Sequence, residues 1–139
     1  MRIAVRNAGS AGLPLQVLKD YAELWDVGWT VHPRFSKLEI DGVLYAHGDS
    51  GRGGQDAAFQ QAKDNFRSTV IGHFHAQAGV KWWANPEFRV FGLAVGCGIA
   101  ASRMQFEYGR KITAKSILGC GVVLGGRQAY FEPWLLHSR

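Results

Sequence analysis

Ser68-Thr69-Val70-Ile71 is the segment that most constrains the fold. Three of its four residues are β-branched, and the run is too short for a helix, so it predicts a buried strand. It stops at Gly72-His73-Phe74-His75. On its N-terminal side, the chain from about Gln55 to Phe66 reads as a helix, preceded by a polar glycine-rich loop, His47 to Gly54. Further upstream, Arg34 to Ile40 and Val43 to Ala46 flank Asp41-Gly42, a pair suited to the positive φ angles of a two-residue hairpin turn. Leu15, Leu18, Tyr21, Ala22 and Trp25 recur at helical spacing within Gly12 to Trp25, with Pro14 suited to a first turn.

Beyond His75 the pattern is extended throughout. Gln77 to Ala84 and Phe88 to Val95 flank the turn residues Asn85-Pro86-Glu87. Ile117 to Leu124 and Gln128 to Leu135 flank Gly125-Gly126 and predict a last hairpin. The order helix, hairpin, helix, strand and then several strands predicts an α/β protein, a layered β-sandwich flanked by helices. At 139 residues and 15.3 kDa, one domain spanning 1–139 is expected.

A composition of 47% hydrophobic and 19% charged residues belongs to a folded chain and excludes a disordered one. The longest apolar and glycine run, Val90 to Ala101, is too short to cross a bilayer, so no membrane association is expected. The charged start Met1-Arg2-Ile3-Ala4-Val5-Arg6 is not a secretory pattern. Cys97 and Cys120 are too few for a disulfide scaffold. Together these features predict a soluble protein of a reducing, cytoplasmic compartment.

Of the net charge of +5, +4 falls in residues 102–139. That segment suits either a phosphate-bearing partner or a solubilising face. Within it, Arg103, Arg110, Lys111, Lys115 and Arg127 are interleaved with Phe106 and Tyr108, as in a groove that stacks nucleic-acid bases, although no recognised nucleic-acid motif accompanies them.

The histidines carry the chemistry. His47 opens the glycine loop directly after one strand, and His73 and His75 follow directly on another. If both strand ends meet at one sheet edge, three imidazoles converge, and imidazole is the commonest transition-metal ligand. The competing reading makes each a hydrogen-bonded packing residue. In an extended segment His73 and His75 share a face, whereas a bend after Gly72 aims them at different points. Asp49 suits either a hydrogen bond that orients a ligating imidazole or a cap for the loop. Arg52 suits either a phosphate or solvent. His32 and His137 read as surface residues without a role.

Leu44-Tyr45-Ala46-His47-Gly48-Asp49 and Val70-Ile71-Gly72-His73-Phe74-His75, separated by a helix, resemble the calcineurin-like metallophosphoesterases, especially short forms found in phages and bacteria. Ile117-Leu118-Gly119-Cys120-Gly121-Val122-Val123 resembles a late strand of the phage-type members. The resemblance implies hydrolysis of a phosphomonoester or phosphodiester with divalent Mn, Fe or Zn, in the host cytoplasm if phage-encoded. It also implies that His47 and His73 ligate one ion and His75 a second, within a double-sheet sandwich.

None of the Asp-x-His, Gly-Asp and Gly-Asn-His motifs that open this family occurs upstream of His47, so the chain resembles the C-terminal half of the domain, lacking the N-terminal half. Two-metal hydrolysis holds its ions about 4 Å apart, and three neutral imidazoles supply no anionic bridge between them. One ion held by two or three histidines and water is the arrangement these residues support. A missing half supplied by a partner chain would complete the centre. The alternative is a non-catalytic metal-binding or oligomeric assembly module, since a half-domain exposes a sheet edge and an apolar face. Trp25, Trp29, Trp82, Trp83 and Trp134 bear on that choice. The adjacent Trp82 and Trp83 point to opposite sides of a strand, so one is exposed unless a partner or a second layer covers it.

Overall fold

The computed structural model describes residues 6, 7, 9–12, 28–99 and 116–134. The chain divides into two compact units, Met1–Arg34 and Phe35–Arg139. In the first, the Ala11 amide donates to the Asn7 carbonyl at 3.0 Å, closing one helical turn. The helix expected from Gly12 to Trp25 lies, from residue 13 onward, outside the described residues, as do His137 and the basic stretch from Arg103 to Lys115.

The second unit is mixed α/β. Its order is β1 (Lys37–Ile40), β2 (Val43–Ala46), α1 (Ala57–Asn65), β3 (Thr69–Ile71), β4 (Ala78–Ala84), β5 (Arg89–Val95), β6 (Gly119–Leu124) and β7 (Gln128–Pro133). Each of the expected strands and the expected second helix is present; Val43–Ala46 matches in full, and the others are shorter than expected by one to three residues. Asp41 and Gly42 take φ angles of 51° and 74°, as the two-residue turn requires. The first strand starts at Lys37 rather than Arg34 because Phe35, at φ 70°, leaves the extended region. The Asn85 side-chain oxygen accepts from the Glu87 and Phe88 amides at 2.9 and 2.8 Å and closes the β4–β5 turn.

Five strands form one sheet in the order β1-β2-β3-β5-β4, and β6 and β7 form a separate hairpin. β2, β3 and β5 are mutually parallel, while β1 and β4 are antiparallel edges. Parallel neighbours need a crossover, which α1 provides between β2 and β3.

Strand alternation then sorts the side chains into two layers. Val43, Val70, Phe91 and Leu93 face the β6–β7 hairpin and pack with Val123, Ala129 and Phe131. Ile71 and Ala94 face the other way and pack with Ala57 and Ala58 of α1. The helix approaches so closely that a Cβ on Gly92 would overlap the Ala58 carbonyl and Phe59 Cα. Trp82 and Trp83 do diverge: Trp82 stacks edge-on against Phe91 on the hairpin side and stays 41% exposed. Trp83 lies on the helix side beneath the Lys63 ammonium. Among the described residues no helix is long and apolar enough to cross a membrane.

Candidate metal centre

The β2–β3 register sets the site. Ala46 pairs with Ile71 as the last rung of two parallel strands, so His47 and Gly72 leave the sheet side by side. Gly48 follows with φ 106°, and a Cβ there would stand 3.0 Å from Ile71 Cβ; glycine lets the loop fold back over the strand end. On the neighbouring strand, the Phe74 amide donates to the Gly72 carbonyl and the His75 amide to the His73 carbonyl, two successive three-residue turns. His73 has φ 58°, in the left-handed region, which few non-glycine residues adopt but histidine enters more readily than most.

These bends bring two histidines together. His47 Nε2 and His73 Nδ1 are 3.1 Å apart, and the rings meet edge-on with centroids at 5.0 Å. Both side chains are exposed, so the pair is open to a solute. Two nitrogens bound to one zinc ion at about 2.0–2.1 Å stand roughly 2.9–3.4 Å apart across octahedral to tetrahedral angles. The observed separation lies in that interval. It equally suits one neutral imidazole donating to the other.

His75 is half-buried, and its carbonyl accepts from the Ile117 amide at 2.9 Å. Among the described residues no group of three or more His, Cys, Asp or Glu side chains is arranged to hold a metal ion. The donors brought together are therefore the two imidazoles of His47 and His73, without a third His, Cys, Asp or Glu among the described residues. His75 is not gathered with the pair, and Asp49, half-buried in the loop after His47, does not join it in such a group. The segment from Gly72 to His75 is bent rather than extended.

Arg52 turns toward α1, where its guanidinium meets Asp64 Oδ1 at 2.6 Å and Gln60 Oε1 at 3.5 Å. His32 is exposed, as expected. The residues that hold the site were not foreseen. Gln61, 4% exposed, donates through Nε2 to the carbonyls of Gly48 and Arg52, both at 3.0 Å. Gln77 donates to the Gly54 carbonyl at 2.8 Å and accepts from the Ala57 amide, capping α1 where Asp56 makes no side-chain cap. The available signal was a glutamine on the apolar stripe Ala57, Ala58, Gln61, Ala62 of a short helix. A surface cleft of about 330 Å³ beside the start of α1, lined by Asp56, Phe59, Gln77, Gly79 and Lys81, contains none of the histidines.

The chain matches no family model, no curated protein and no solved structure.

Proposed function

We propose that the chain is a metal-dependent phosphoesterase domain, similar to the C-terminal half of a calcineurin-like metallophosphoesterase, that acts on a phosphomonoester or phosphodiester. The observation that carries this reading is the 3.1 Å approach of His47 Nε2 to His73 Nδ1 at the carboxyl ends of adjacent parallel strands. The β2–α1–β3 crossover and the hairpin layered on the opposite sheet face support it.

In this reading His47 and His73 hold one divalent ion, Mn, Fe or Zn. When bound, the ion supplies Lewis acidity toward a phosphate ester and acidifies water. The chain's own residues position it. Gln61 fixes the loop that carries His47, and the turn at His73 fixes the second ring. The described residues supply no carboxylate bridge for a second ion, so metal binding is the primary property expected of this pair. Turnover requires further ligands, from a partner chain or from sequence outside the two histidine motifs.

Titration calorimetry with Zn²⁺ and Mn²⁺, together with hydrolysis of bis-p-nitrophenyl phosphate, tests the proposal. One ion bound per chain, lost in His47→Ala and in His73→Ala, is the expected result. Absence of binding, or binding unchanged in both variants, overturns it. Stoichiometric binding without metal-dependent hydrolysis favours the second reading, a non-catalytic metal-binding module. The two-imidazole set, without a third donor among the described residues, is the observation behind that reading.

A further inference from the structure

We infer that β1 is a self-complementary docking edge, through which two copies of this chain pair antiparallel about a two-fold axis. The inference does not depend on the histidine pair.

β1 is an edge of the five-stranded sheet, and all four of its residues are exposed. The direction of the backbone groups on its outer side follows from the next strand. The Leu44 amide donates toward β3, to the Ser68 carbonyl at 2.9 Å. Val43 and Tyr45, on either side of Leu44, therefore turn their backbone groups toward β1, where they pair with Ile40 and Leu38. The amides and carbonyls of Lys37 and Glu39 are left pointing out from the edge. Two donors and two acceptors on alternate residues form a template for another strand.

The side chains select the register. Centred on Leu38, a two-fold pairing sets Lys37 opposite Glu39 of the second copy and Glu39 opposite its Lys37. Each is a hydrogen-bonded pair, which gives four backbone hydrogen bonds. Opposite charges then face each other twice on the helix side of the sheet. On the other side, Leu38 meets Leu38 of the second copy in the close, non-hydrogen-bonded position, about 4.5 Å between Cα atoms.

Neighbouring registers fail. Moving by two residues opposes Lys37 to Lys37 or Glu39 to Glu39, and like charges directly opposite are unfavourable. Moving by one brings the apolar face against the polar face. A lysine on an edge strand ordinarily discourages pairing, but here it discourages every register except the charge-matched one.

Apolar surface lies where the second copy would arrive. Leu38 is 42% and Ile40 47% exposed. On the helix side, Lys37 bonds Asn65 and Glu39 bonds Arg67, and Phe66 between those two partners is 71% exposed. A four-residue edge belongs to the small class of interfaces, so the dimer is weak and reversible. The two-fold makes the contact isologous and closed.

Sedimentation velocity on the full chain over a range of concentrations tests this. A monomer–dimer equilibrium is expected for the wild type. Lys37→Glu and Glu39→Lys each place like charges opposite one another at both sites and weaken association by about tenfold or more. An equimolar mixture of the two variants restores it, because the edge of one chain then presents two carboxylates and the edge of the other two ammonium groups. A misfolded variant cannot be rescued by mixing. Lys37→Pro removes an outward donor without touching the β1–β2 ladder and also weakens the dimer. A wild type monomeric throughout overturns the inference, as does a dimer that survives both reversals and the proline. Loss of the dimer without rescue on mixing overturns it too.

Discussion

The Gln61 carboxamide reaches from the buried side of α1 and donates to the Gly48 carbonyl at 3.0 Å, one residue beyond His47. The same nitrogen donates to the Arg52 carbonyl, so a single side chain pins both ends of the loop. Gln61→Glu keeps the shape but replaces the donor with an oxygen facing two carbonyls. Leaving buried acceptors unsatisfied costs about 1–3 kcal/mol each. Urea unfolding should show a loss of that order, and under the proposed function zinc affinity should fall in parallel. Unchanged stability would mean that the loop is held by something else.

Gly92 makes a second, independent prediction. A Cβ there would overlap the backbone of Ala58 and Phe59, atoms that cannot rotate away. Gly92→Ala should force α1 off the sheet and cost about 1–3 kcal/mol or more. Gly53→Ala is the control, because its added methyl meets only Phe74 at 3.6 Å, an ordinary contact. A change within about 0.5 kcal/mol is expected there. Equal midpoints for the two variants would contradict the close helix–sheet approach.

Much of this was legible in the chain because local rules and tertiary structure agree. Asp41-Gly42 specifies its own turn, and the β-branched run of Ser68 to Ile71, too short for a helix, reads as a strand, found at Thr69–Ile71. The site was legible only in part. Adjacency of His47 and His73 follows from two strand ends meeting, but the bend at His73 depends on a positive φ at a residue that rarely adopts one. Spacing alone left open whether His73 and His75 share a face or diverge at a bend after Gly72. Gln61 and Gln77 were not legible at all, because their roles lie in backbone groups of loops distant in sequence. Such groups leave no mark on composition or periodicity.

Tyr45 gives the fold a pH dependence. Burial between the sheet and the hairpin layer raises its pKa above 10.0, and the Asp41 carboxylate adds to the effect. The fold therefore favours the protonated phenol. Its contribution is fully present below the unfolded value, near pH 10, and is lost as pH rises through the higher folded value. Urea midpoints measured from about pH 8 to about pH 11 should fall at the alkaline end. Tyr45→Phe should flatten that limb while leaving the neutral region nearly unchanged. An alkaline limb of the same slope in the variant would assign it to other groups.

The three histidines should separate by experiment, since the structure pairs only two of them. Zinc added in excess should raise the unfolding temperature of the wild type, because a ligand bound by the native state alone stabilises it by mass action. At a hundredfold excess over the dissociation constant the gain is about 2.7 kcal/mol. His47→Ala and His73→Ala should each abolish the shift, because one imidazole with water is a poor site. His75→Ala should retain most of it, since His75 does not share in a three-donor group with the pair. If His75→Ala also loses the shift, the bend from Gly72 to His75 must rearrange on binding to bring in the third imidazole. That outcome would favour the fuller ligand set implied by the metallophosphoesterase resemblance.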